Sequence, residues 1–73
     1  MKAILEFNME DDKHDFQLAI DAPKWYVLAW EIDQYLRNRM KYEENISNDE
    51  YKAVEAAREK LIELMNESGL LFD

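Results

Sequence analysis

The sequence predicts a mainly α fold with a minor β contribution: a short N-terminal strand, a short helix, an antiparallel hairpin of two long helices, and a second short strand at the C-terminus. Three observations carry that prediction. Apolar residues recur at helical spacing over residues 25–40 and again over 51–65. A complete helix-start signal stands between those two stretches, at Ser47. The polar connection Glu43-Glu44-Asn45 is short, and one glycine and one proline in 73 residues leave little room for long loops.

Residues 2 to 8 alternate, with Ala3, Leu5 and Phe7 on one side and Lys2, Glu6 and Asn8 on the other, the period of a half-buried strand. A strand must pair its backbone groups, and Leu70-Leu71-Phe72 after Gly69 is the other short extended segment available within the chain. The acidic cluster Glu10-Asp11-Asp12 suits a helix N-terminus, and Phe16, Ala19 and Ile20 follow at helical spacing, so a first helix is expected over about residues 10–20. Pro23 has no backbone N–H and fits the first turn of a new helix, which places a break near Asp21-Ala22.

The second helix is expected over about residues 23–42. Trp25, Leu28, Ala29, Ile32, Tyr35, Leu36 and Met40 form its apolar stripe, and Asp33, Gln34, Arg37, Asn38 and Lys41 face away. Ser47 then reads as an N-cap, Glu50 as its capping-box partner, and Ile46 as a staple onto Tyr51. The third helix sets Tyr51, Val54, Ala57, Leu61, Leu64 and Met65 on one face and ends at Ser68-Gly69, where glycine suits a left-handed C-cap. So short a connection packs the two long helices as an antiparallel hairpin within a single domain, residues 1–73.

A domain this small retains only about 3–5 kcal/mol of stability unless something reinforces it. With no cysteine, neither a disulfide nor a Cys-ligated zinc supplies that reinforcement, and the lone His14 argues against a histidine metal site. Oligomerisation remains. Glu6 interrupts the apolar run Ala3-Ile4-Leu5 well short of a signal core or a membrane span, so a cytoplasmic location without membrane contact is expected. Seventeen acidic residues against nine basic ones give a formal charge of −8, which opposes direct nucleic-acid binding.

Catalysis is not expected, because most carboxylates lie on solvent-facing positions where nothing shifts their pKa values. The cluster Asp11, Asp12, His14 and Asp15 lacks the turn glycine of a calcium loop and reads as helix-start electrostatics. No phosphate-binding glycine loop or nucleophile signature is present, and no cofactor is expected. Two surfaces are candidates for partner binding. Glu55, Glu59, Glu63 and Glu67 recur every four residues, about 6 Å apart along the third helix, near the spacing of phosphates on a nucleic-acid strand, although Lys52 and Lys60 dilute the stripe. Tyr26 and Trp30 project about a third of a turn from the main stripe, beside Arg37, and are covered by the strand and first helix or else form an aromatic binding patch.

The opening Met1-Lys2-Ala3-Ile4-Leu5-Glu6-Phe7-Asn8, the pair Asp15-Phe16, the run Leu28-Ala29-Trp30-Glu31-Ile32-Asp33-Gln34 and the closing Arg58-Glu59-Lys60-Leu61 resemble a group of small acidic proteins encoded by bacteriophages and prophages. The resemblance extends over nearly the whole chain and brings no active-site signature. It implies a viral protein acting in the bacterial host cytoplasm. Joined to the acidity, it yields the expectation of a non-catalytic inhibitor or modulator of a host enzyme or defence system, docked on a host protein with a basic nucleic-acid-binding groove. Two alternatives stay open: a structural protein that self-associates, for instance as a homodimer, through strand 2–8 or the aromatic patch, and an accessory subunit of a phage replication or recombination enzyme.

Overall fold

The computed structural model describes residues 1–42, 44–70 and 72. Two helices, α1 (Lys13–Tyr42) and α2 (Asn48–Glu67), fold back on each other as an antiparallel hairpin. The mainly α architecture therefore stands, and the β contribution does not: there is no strand among the described residues. Residues 1–8 have the alternation of a strand but nothing to pair with, since Leu70 and Phe72 follow irregular backbone; Leu71, like Glu43 of the expected connection, lies outside the described residues. What anchors the N-terminal segment is Phe7, half-buried edge-on against Phe16 at 5.7 Å between ring centres.

The expected first and second helices are one. α1 runs for 30 residues straight through Pro23. Proline at an interior position removes one backbone hydrogen bond and crowds the preceding turn, at a cost of about 3 kcal/mol, so a compensating interaction is needed. Asp21 supplies one across the proline. Its carboxylate accepts a hydrogen bond from Gln17 Nε2 at 3.1 Å on one side and meets Lys24 Nζ at 3.2 Å on the other. These contacts hold the Asp21 carboxyl below the ordinary carboxylate range, the Gln17 hydrogen bond contributing most and the Lys24 ammonium next.

Both ends of the chain's helical region are set locally. Asn8 opens the entry turn: its side-chain oxygen accepts from the Glu10 N–H at 3.1 Å, and its carbonyl accepts from Asp11 and Asp12. The Asp12 carbonyl then accepts from Phe16, the first bond of α1. At the start of α2, Ser47 caps as expected, its Oγ accepting from the Glu50 N–H at 3.1 Å. The Glu50 carboxylate pairs across the connection with Arg39. At the other end Gly69, at φ 71°, is the left-handed residue that turns the chain out of α2. The Leu70 N–H reaches the Met65 carbonyl at 2.8 Å, and the Gly69 N–H reaches that of Asn66 at 3.1 Å.

α2 has 20 residues, so α1 is about 45 Å long and α2 about 30 Å. The N-terminal part of α1 overhangs the end of α2, and the hairpin measures 52 × 28 × 20 Å. Its radius of gyration is 17.3 Å, against about 11 Å for a compact domain of this length. No apolar side chain among the described residues is fully buried.

Candidate binding surfaces

The one buried side chain among the described residues is a charged one. Asp33, 5% exposed, sits at the centre of the helix–helix seam, where its Oδ1 accepts from Arg58 Nε at 2.9 Å. The sequence reading put Asp33 on the outward face of its helix, and the structure corrects it. The error has a physical cause: the first half of this helix is apolar almost all round, so the periodicity defines no unique inward side. Register comes instead from the hairpin. Asp33–Arg58 and Arg39–Glu50 straddle the connection nearly symmetrically, as an antiparallel pair of helices with a short turn requires.

Fixing Asp33 inward rotates the expected apolar stripe. Ala29, Leu36 and Met40 remain half-buried at the seam, and on α2 so do Val54, Leu61 and Met65. Trp25 (59% exposed), Leu28, Ile32 and Tyr35 (63% exposed) turn out to solvent. Their spacing of three, four and three residues is the one that keeps a straight apolar seam along a helix. At 100° per residue, Trp25 and Ile32 lie on the same flank of the hairpin as Leu61 and the exposed Leu64 of α2. The Arg39–Glu50 pair belongs to that flank, which is otherwise a broad apolar face made by both helices.

Toward the open end of the hairpin this face deepens into an apolar groove of about 390 Å³, lined by Leu18, Trp25 and Tyr26 of α1, Met65 of α2 and the returning Leu70 and Phe72. Phe72 meets Tyr26 edge-on, with ring centres 6.0 Å apart.

The opposite flank carries the acidic residues. Four residues advance a helix by about 400°, so each glutamate of the series turns about 40° past the one before. Glu55 is half-buried beside α1, whereas Glu59, Glu63 and Glu67 are exposed and wind outward to the far side of α2. Lys60 Nζ stands 3.6 Å from Glu63. Trp30 (44% exposed) and the half-buried Arg37 project to this flank as well, and Tyr26, 41% exposed, lies near the seam beneath Phe72. Among the described residues there is neither a strand nor a separate first helix to cover the two aromatic rings.

The described residues hold no group of three or more His, Cys, Asp or Glu side chains placed to bind a metal ion. No helix is long and apolar enough to cross a membrane. The exposed seam of Trp25, Leu28, Ile32 and Tyr35 and the Asp33–Arg58 pair were both missed as surface determinants by the sequence reading. The three-four spacing and the symmetry about the connection were the signals for them. The chain matches no family model, no curated protein and no solved structure.

Proposed function

We propose that the protein is a non-catalytic binding module that works by laying the apolar face centred on Trp25, Leu28, Ile32 and Tyr35 against another protein chain. The observation that carries this reading is surface area. The chain exposes 6603 Å², whereas a compact protein of 8.8 kDa exposes about 4,800 Å². The difference, about 1,800 Å², falls in the range that one partner contributes to a large, obligate interface. A contiguous exposed apolar face marks an interaction site on a folded protein.

A second reading is favoured by the opposite flank, where Glu59, Glu63 and Glu67 are exposed on a chain of net charge −8. It is the phage-encoded inhibitor or modulator whose acidic helix occupies a basic nucleic-acid-binding groove of a host protein. The sequence resemblance to phage proteins supports a bacterial cytoplasm as the setting for either reading.

Photocrosslinking in bacterial cells separates the two. A photoreactive residue at position 32 or 35 is expected to give covalent adducts with a protein chain, copies of this chain included. The same residue at position 59 or 63 is expected to give none. Adducts from 59 and 63 alone would transfer the function to the acidic flank, and no adduct from any of the four would refute both.

A further inference from the structure

We infer that the occupant of the apolar face is a second copy of the same chain, the two hairpins stacking face to face into a symmetric four-helix dimer. The inference rests on the docking reading above and gives it a partner. Three features point to self-association.

The first is area. The excess of roughly 1,800 Å² belongs to the whole chain, the exposed residues 1–6 included, but two-thirds of it hidden per copy already gives an interface of about 2,400 Å², inside the range of obligate homodimers. A two-fold interface needs one self-complementary patch, and a face made of Trp25, Leu28, Ile32 and Leu64 is self-complementary by being uniformly apolar.

The second is charge. Two chains of net charge −8 repel, so they associate only through a face that keeps the acids apart. Glu59, Glu63 and Glu67 lie on the other flank, and two ionic pairs at the border of the apolar face, Asp21–Lys24 and Arg39–Glu50, are neutralised within the chain, which leaves Glu31 beside Leu28 as the carboxylate at its edge. Stacking apolar face on apolar face leaves Glu59, Glu63 and Glu67 pointing outward.

The third is geometry. The three-four-three spacing of Trp25, Leu28, Ile32 and Tyr35 presents side chains in line along α1, which lets a neighbouring α1 lie nearly parallel or antiparallel to it at the shallow angle of helix bundles. The groove beside Met65 and Leu70 continues this face and extends its apolar surface toward the open end of the hairpin.

The test uses the purified full chain. Sedimentation equilibrium should give twice the chain mass of 8.8 kDa, the thermal midpoint should rise with protein concentration, and added salt should strengthen association by screening the net charge. Ile32→Asp should lower the mass to that of one chain or unfold it, and Glu59→Lys should leave the mass of the pair unchanged. A single-chain mass with a concentration-independent midpoint would overturn the inference, as would an open-ended assembly. If in either case positions 32 and 35 still crosslink to a different protein in cells, the docking reading survives and only its occupant is wrong.

Discussion

Asp33 is the residue on which the hairpin turns. Its carboxylate is almost wholly removed from water, while the partnering Arg58 side chain stays 30% exposed, so solvent screens part of the pair's attraction. Removing one member leaves the other charge at the seam without its partner. Asp33→Ala is therefore expected to cost about 1–3 kcal/mol in urea unfolding, toward the low end of what breaking a buried pair costs. Replacing both members, as in Asp33→Leu with Arg58→Leu, is expected to restore most of that loss, because the desolvation penalty disappears along with the attraction. A double replacement as unstable as the single one would show that the pair adds more than charge balance. This residue also marks a boundary of what the sequence discloses. Asp33 carries no local sign of burial; its fate depends on an arginine 25 residues away that only the hairpin brings near.

At the scale of the element, the sequence discloses ends better than middles. Ser47 and Gly69 act where their chemistry says they should, because a cap is decided by a handful of adjacent backbone groups. Pro23 misleads for the opposite reason. A proline predicts a break only when nothing spans it, and here the Asp21–Lys24 contact spans it, with Gln17 holding Asp21 from the preceding turn. Pro23→Ala is expected to stabilise the protein by up to about 3 kcal/mol, read as a higher thermal midpoint and a stronger helical circular dichroism signal. The spanning contact also gives α1 a pH dependence. The Asp21 carboxyl is depressed in the folded chain, so its stabilisation is complete above the ordinary carboxylate range. It is lost as pH falls below about 4 and through the lowered folded value. Asp21→Asn should abolish that acid-side loss of helicity, most visibly in the wild-type Pro23 background.

For the whole molecule, the helical hairpin and its polarity were legible, because short connections leave antiparallel packing as the available arrangement. The strands were not, since alternation in residues 2–8 records a preference that only a pairing partner can realise. The acidic series Glu55, Glu59, Glu63 and Glu67 was legible as a set but not as a single line, its 40° drift per step spreading it round α2. The apolar face escaped for a deeper reason. A stripe of Trp25, Leu28, Ile32 and Tyr35 looks the same in sequence whether it closes against its own hairpin or stays exposed, and only the inward turn of Asp33 shows that it does not close against its own.

The missing interior of the single chain has a kinetic sequel. Contacts within one hairpin are close in sequence and form quickly, whereas in the proposed dimer the apolar side chains that the hairpin leaves exposed would be covered only when two chains meet. Refolding from urea should therefore show a rapid helical phase followed by a slower one whose rate rises in proportion to protein concentration; a slower phase that ignores concentration would contradict it. In a cell, pairing of this kind would make the persistence of the protein depend on its dose. On that proposal, newly made chains at low copy number would remain open to proteases, whereas a burst of synthesis would carry them past the point at which pairing outruns degradation, so that the molecule would register its own abundance before it acts.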